Sequence, residues 1–376
     1  MRPTWAEVSL GALRRNLRCI QERVRGVAVC AVVKADAYGH GALECARALE
    51  QEGAAWLGVT STEEGVALRQ AGIGGRVLLM TGFWRGEEDE IVRQRLTPAV
   101  WEPEHLEGLA HAAQARDASV PVHIKMETGM ARLGVSTAGL PRLLEALRRT
   151  QRLTLEGLFT HLASAEVVDA RDVEAQSARF DEATRLVREA GFEPRYLHLA
   201  NSAAIAARPT LWRDMVRPGI SLYGYYLPLV SASGRPAEAC GLEVEPVLSW
   251  KTRVIGVREV GAGQAVGYNG AYVTPKLARI AALPVGYADG LSRQLGSVGR
   301  VIVRGRHAPM VGNISMDITL ADVSEVPGVE VGDEVVLIGK SGEAAIDAWE
   351  HATLARTIPY EILCGISKRV PRRYVE

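Results

Sequence analysis

Neither sign of charge dominates this 376-residue chain: 44 Lys and Arg stand against 44 Asp and Glu. Without a net field, a role that depends on binding nucleic acid or another polyanion is not expected. No apolar run approaches the ~18 residues a membrane crossing needs. The stretch Met1-Arg-Pro-Thr-Trp-Ala-Glu lacks the apolar core of a signal peptide, so a cytoplasmic protein with no membrane partner is expected. Cysteine is sparse: Cys19, Cys30, Cys45, Cys240 and Cys364 are scattered, with no CxxC pair. That spacing suggests reduced thiols and neither a metal site nor a disulfide framework. No GxGxxG follows the first strand-like run, which argues against a dinucleotide-binding sheet.

What is present is alternation. Leu10, Leu13, Leu17, Ile20 and Val24 recur at helical spacing over residues 9–24. Eight strand-like runs follow: Ala28–Val33, Ala55–Val59, Arg76–Met80, Pro98–Val100, Val120–Met126, Leu155–Thr160, Tyr196–Leu199 and Met215–Ser221. Between them lie helical patterns such as Ala42–Gln51, Glu104–Arg116 and Val173–Ala190. Eight such repeats predict a (β/α)8 TIM-type barrel over residues 1–236. The turn-rich Ser231-Ala-Ser-Gly-Arg-Pro reads as a linker. Residues 237–376 then show short strands and glycine-rich turns: Val247–Val260, Leu277–Pro284, Val298–Val303, Ile314–Val323 and Asp333–Ile338, with a helix near Ala344–Thr357. A second, mainly β domain is expected there.

In a barrel, chemistry gathers where strands end. Lys34 directly follows Ala28-Val-Cys-Ala-Val-Val. An amine emerging from such a strand can be kept neutral by desolvation, which carbonyl chemistry requires; a lysine merely snorkelling from a strand end is the alternative. Lys125, Arg132, His161, Asn201, Ser202 and Arg217 also fall at strand ends, and Arg217 is expected within the eighth strand. Their positive charge calls for an anionic ligand. Ser202 at a helix start and Gly219-Ile220 after the last strand suit a phosphate. A phosphate opposite a strand-one lysine suggests a phosphorylated aldehyde cofactor. The second domain adds Val266-Gly-Tyr-Asn-Gly-Ala-Tyr, Leu283-Pro-Val-Gly-Tyr-Ala-Asp-Gly and Met310-Val-Gly-Asn-Ile-Ser-Met-Asp. Each could be packed turn residues, or a tyrosine placed to move a proton.

Taken in order, the motifs resemble one family. Ala31-Val-Val-Lys-Ala-Asp-Ala-Tyr-Gly-His-Gly is similar to the pyridoxal-phosphate lysine signature of alanine racemases. The likeness continues through Glu127-Thr-Gly-Met-Ala-Arg-Leu-Gly-Val, Phe159-Thr-His-Leu-Ala-Ser-Ala, His198-Leu-Ala-Asn-Ser-Ala-Ala, Val216-Arg-Pro-Gly-Ile-Ser-Leu-Tyr-Gly, Pro284-Val-Gly-Tyr-Ala-Asp-Gly and Asn313-Ile-Ser-Met-Asp. The resemblance implies interconversion of L- and D-alanine by two bases, one of them Lys34, which also carries pyridoxal 5'-phosphate as a Schiff base. It implies that Tyr268 is the opposing base, and that Tyr38, Asn201, Ser202, Gly219, Ile220 and Tyr360 serve the cofactor. Arg217 would face the pyridine nitrogen, supported by His161. Arg132 would approach the phenolic oxygen, oriented by Lys125, a residue carbamylated in many members. Arg132 and the Met316 backbone would hold the substrate carboxylate, with Tyr287 and Asp317 nearby. The family's sites are shared in a homodimer, so Tyr268, Tyr287, Met316 and Asp317 would serve the partner subunit's Lys34.

Two departures bear on specificity. Ser315 stands where many members have Cys, and Asn313 where Arg or Lys is commoner. A broader-specificity racemase and a pyridoxal-phosphate-dependent decarboxylase are the nearest alternatives. A non-catalytic carrier of the cofactor, resembling the barrel alone, would lack residues 241–376.

Overall fold

The computed structural model describes residues 2–237 and 242–376; Cys240 lies outside the described residues. The chain divides into two compact units. One comprises Leu13–Ala37 and Ala42–Val244, the other Met1–Ala12, Tyr38–Gly41 and Glu245–Glu376.

The first unit is a nearly closed barrel. Its strands, in chain order, are Ala28–Val32, Trp56–Val59, Arg76–Leu79, Thr97–Val100, Val120–Lys125, Leu153–Phe159, Tyr196–His198 and Met215–Val216. Each lies parallel to its neighbour, and the order runs seven to one with the eighth beside the first. Strands seven and eight close the ring through single hydrogen bonds. Arg217 N–H donates to Ala200 O at 2.9 Å, and Asp214 N–H to Leu197 O at 3.1 Å. The strands are apolar on both faces because one face meets the barrel interior and the other meets helices. Inside, Cys30, Trp56, Leu78, Tyr196 and Met215 pack as one cluster. Burying side chains of this size contributes about 1.5–3 kcal/mol each. Burial also pushes the Cys30 thiol up to about 12, so it is a packing group and not a nucleophile.

The eighth strand is shorter than expected, and Arg217 lies just beyond it. Pro218 has no N–H to donate and Gly219 leaves strand geometry with φ −113° and ψ −97°; Ile220–Tyr223 is then a 3-10 turn. The chain therefore bends across the barrel mouth where a continuing strand was expected.

The second unit is built on a sheet that gathers distant segments. Its strand order is Arg306–Pro309, Arg300–Val303, Glu334–Ser341, Leu248–Arg253, Trp5–Ser9 and Arg372–Val375, with Ala344–Ile346 on the side of Glu334–Ser341. Trp5–Ser9 thus belongs to this sheet, antiparallel to Leu248–Arg253 and parallel to Arg372–Val375. The expected single run Val247–Val260 is two strands, Leu248–Arg253 and Gly256–Val260. Gly256–Val260, Ala278–Leu283 and Thr319–Asp322 form a second small sheet. The expected helix near Ala344–Thr357 is a strand, Ala344–Ile346, followed by the helix Ala348–Ala355. A further helix, Pro359–Gly365, carries Tyr360.

Candidate active site

The first barrel strand ends in an uncommon backbone. The helical segment Lys34–Gly39 is left-handed, with φ of +52°, +54°, +53° and +54° at Ala35, Asp36, Ala37 and Tyr38. Four L-residues in succession there cost roughly 1–2 kcal/mol each. Side chains offset part of this: Glu64 accepts from Ala35 N–H at 2.7 Å and Asp36 accepts from Ala42 N–H at 2.8 Å. The turn ends in Gly39 and Gly41, both with positive φ. A Cβ on Gly39 would lie 2.2 Å from Leu363 O, so no other residue fits. Tyr38 faces Tyr360 with ring centroids 6.0 Å apart.

Across the barrel mouth, Arg217 is almost fully buried. Its two Nη groups donate to His198 Nδ1 at 2.8 Å, His198 O at 3.0 Å, Thr160 O at 2.7 Å and Leu199 O at 3.1 Å. Among the described residues the remaining donor, Nε–H, has no protein acceptor, and no carboxylate pairs with the guanidinium. Burial lowers its proton affinity to about 10, still far above neutrality. Its supporting histidine is His198 and not the expected His161. His161 senses Arg217 only through its charge, and burial with the surrounding cations holds it neutral, at about 3.

Lys125 ends the fifth strand, buried, and donates to Met80 O at 2.9 Å. Burial, then the charges of Arg217, Arg132 and Lys34, lower it to about 8. Arg132 lies on an exposed loop folded around Glu127, whose carboxylate accepts from the Gly129 and Arg132 N–H groups. Ser202 gathers donors: Gly219 N–H at 2.9 Å, Ser221 N–H at 3.3 Å and Ser221 Oγ at 3.0 Å converge on its hydroxyl oxygen. Ile220 begins the 3-10 turn between them. Asn201 caps the helix Ser202–Ala207, its side chain accepting from Ala204 N–H at 3.1 Å.

The barrel unit thus brings Lys34, Lys125, Arg132, His161, Asn201, Ser202, Arg217, Gly219 and Ile220 to the strand C-terminal side. His123 and His198 lie in the same interior, both fully buried, with His123 Nδ1 2.9 Å from His198 Nε2. Sequence reasoning passed over both. The available signal was that His123 and Lys125, two apart on one strand, share a face.

The second unit holds its candidates on loops. Tyr268 is 70% exposed, in a 3-10 turn, and Asn313 Nδ2 donates to its carbonyl at 3.2 Å. The loops of Tyr287 and Met316 cross backbone to backbone. Tyr287 N–H donates to Ser315 O at 3.0 Å and Ala288 N–H to Met316 O at 3.1 Å. A Cβ on Gly286 would sit 2.3 Å from Ser315 O, so the crossing requires glycine. Buried Asp289 ties this region down: Arg2 donates to it at 2.8 and 3.0 Å, and Gly286 N–H at 3.0 Å. Arg369 pairs with Asp317 at 2.6 Å.

Among the described residues no group of His, Cys, Asp and Glu could hold a metal ion, and no helix is long and apolar enough to cross a membrane. The residues do fit a phosphorylated aldehyde. Three donors already converge on one oxygen at Ser202, the buried Arg217 guanidinium keeps one donor uncommitted, and the bonds of Arg217 and Lys125 go to carbonyls and a histidine, not to carboxylates.

Residues 8–227 match the family profile "Alanine racemase, N-terminal domain", and residues 247–374 match "Alanine racemase, C-terminal domain". A relative described as alanine racemase from Symbiobacterium thermophilum is 42% identical, over 100% of this chain and 97% of its own. Another from Geobacter sulfurreducens is 43% identical, over 100% and 97%. Among solved structures, an alanine racemase of Clostridium difficile superposes with a TM-score of 0.92 at 34% identity, covering 100% of this chain and 96% of that one. One from Streptomyces coelicolor gives 0.92 at 36%, covering 100% and 98%. Profile, sequence and fold agree along the whole length, and the chain belongs to the alanine racemase family of pyridoxal-phosphate-dependent isomerases.

Proposed function

We propose that this protein interconverts L- and D-alanine with pyridoxal 5'-phosphate and two opposed bases, Lys34 and Tyr268 of the partner subunit. The observation that carries the reading is the pair of buried cations, Lys125 and Arg217, bonded to carbonyls and a histidine and not to carboxylates, at the same barrel mouth as the Ser202 donor cluster. Lys34 would hold the cofactor aldehyde. Ser202, Gly219 and Ile220 would take its phosphate with Tyr38 and Tyr360, and Arg217 would offer Nε–H to the ring nitrogen. When bound, the cofactor makes the α-proton of an attached amino acid removable by spreading negative charge into its ring.

The protein's own task is to move that proton between faces. One base on each face does this without a swinging group, so Lys34 would serve one enantiomer and Tyr268 the other. Tyr268 is exposed on its own subunit, as a group serving a second copy needs to be. The Met316 N–H, which has no protein acceptor among the described residues, would hold the substrate carboxylate together with Arg132. Arg217 keeps its proton, so it would donate to the ring nitrogen without protonating it. That restrains how much charge the ring accepts and limits side reactions. Lys125, at about 8, has a neutral fraction near pH 7 able to take up carbon dioxide. The resulting carbamate anion would orient Arg132 and offset the surrounding cations.

The test is direct. The purified protein should convert L- to D-alanine by chiral chromatography, and borohydride should fix the cofactor on the peptide bearing Lys34. A label on another lysine, or carbon dioxide release in place of D-alanine, would overturn the reading.

A further inference from the structure

The buried histidines beneath Arg217 form part of a longer line. Glu156, in the sixth barrel strand, places Oε2 4.0 Å from His123 Nε2, and its Oε1 takes Arg76 Nη2 at 2.6 Å. The line therefore runs Arg76, Glu156, His123, His198, Arg217, from the more exposed side of the barrel to the cofactor side. Its polarity is fixed from the Arg217 end. A guanidinium has no acceptor, so His198 Nδ1 must be bare and its proton sits on Nε2. That proton can only go to His123 Nδ1, so the proton of His123 sits on Nε2 and points at Glu156. At the opposite end Glu156 Oε2, 4.0 Å from His123 Nε2, is beyond hydrogen-bond distance, and its negative charge is compatible with the same tautomers. Burial, then the charges of Arg76 and Arg217, hold His123 neutral at about 3, and burial and Arg217 hold His198 well below its ordinary value.

The strand is shaped around this line. A Cβ on Gly157 would lie 2.4 Å from His123 Nδ1, so the sixth strand gives up a side chain to seat the ring. His123 Nε2 and Glu156 Oε2 are both buried without a partner, facing one another. An apolar pair would fill that space without stranding two polar atoms. We propose that His123 and Glu156 are positioning residues that act through His198 to keep Arg217 aimed, as an obligatory donor, at the ring nitrogen of the cofactor. This rests on the reading that Arg217 faces that nitrogen. Glu156 draws the proton of His123 toward itself, which sharpens His123 Nδ1 and then His198 Nδ1 as acceptors. The guanidinium is thereby held in one orientation by groups that cannot neutralise it.

The test loads the dimeric holoenzyme with cofactor labelled with 15N in the ring. Glu156→Gln and His123→Phe should each displace the ring 15N signal downfield, toward a more weakly hydrogen-bonded nitrogen. The amide of Glu156→Gln can donate as well as accept, so it removes the polarity while keeping the volume. Both variants should lower kcat equally in the two directions, by roughly fivefold, the factor one buried hydrogen bond is worth, with KM unchanged. Arg217→Lys serves as the reference. If it moves the signal and neither of the other two does, the positioning role is overturned and the Arg217 reading stands. If Arg217→Lys also leaves the signal in place, the reading of Arg217 falls, and this one with it.

Discussion

The barrel mouth and the loops of the second unit hold their functional groups in opposite ways. In the barrel, Arg217 and Lys125 are buried, bonded to carbonyls and a histidine, and close to other cations. On the second unit, Tyr268, Tyr287 and Met316 stand in solvent, and only their backbones are fixed. The first region is costly to build: buried like charges destabilise the fold until an anion arrives. The second is cheap in charge but leaves phenolic and thioether surface exposed. One region carries the cost of buried charge, and the other that of exposed apolar surface.

The largest effect should come from the exposed side. In Tyr268→Phe, exchange of the α-proton with solvent deuterium should fall by roughly 10²–10⁴ for one alanine enantiomer and persist for the other. An equal fall for both would remove the division of labour between the regions. Next comes the cost of the buried side. Lys125 titrates at about 8 in the fold against an ordinary 10.5, so between those values the unfolded chain binds more protons. Stability of the apoprotein in carbon-dioxide-free buffer should rise with pH across that window, by about 3 kcal/mol, with the full penalty present below it. Lys125→Met should lack that rise in urea titrations at the two ends of the window. If both proteins follow the same pH curve, the barrel cation is not a burden.

Smaller effects sharpen the contrast. Asp289 is a deeply buried carboxylate beneath the Tyr287 and Met316 loops, and Asp289→Ala should cost about 2 kcal/mol by urea midpoint and raise KM. The exposed Arg300–Glu350 pair is the comparison, where Glu350→Ala should change stability by under ~0.5 kcal/mol. Ser202→Ala should weaken the cofactor by roughly tenfold in a fluorescence titration, since one donor to the phosphate is lost. Unchanged affinity would mean that the convergence at Ser202 serves only the protein.

The sequence showed most of the barrel, because strands buried on both faces leave long apolar runs such as Ala28-Val-Cys-Ala-Val-Val. It did not show where the eighth strand stops, since Arg-Pro-Gly-Ile continues an apolar run whose end is set by a missing donor. Trp5–Ser9 was invisible as part of the second unit because both its partners, Leu248–Arg253 and Arg372–Val375, lie more than two hundred residues away. Short edge strands such as Arg306–Pro309 carry too little apolar pattern to read. At the site, strand ends pointed to cations and to Ser202. The exchange of His161 for His198 as the support of Arg217 was not legible, because a histidine at either strand end fits the same pattern. Only the observed bond from Arg217 to His198 Nδ1 separates them.

The left-handed segment after the first strand has a stereochemical corollary. Its φ values near +53° are those a D-residue prefers, so the chain holds four L-residues in the mirror image of their favoured helix. Ala35 is exposed, whereas Ala37 is buried and would lose its packing on inversion. A semisynthetic chain with D-alanine at position 35 should therefore be about 1 kcal/mol more stable than one with L-alanine. A protein proposed to invert alanine carries, beside the lysine proposed as one of its bases, a position where the inverted form fits better.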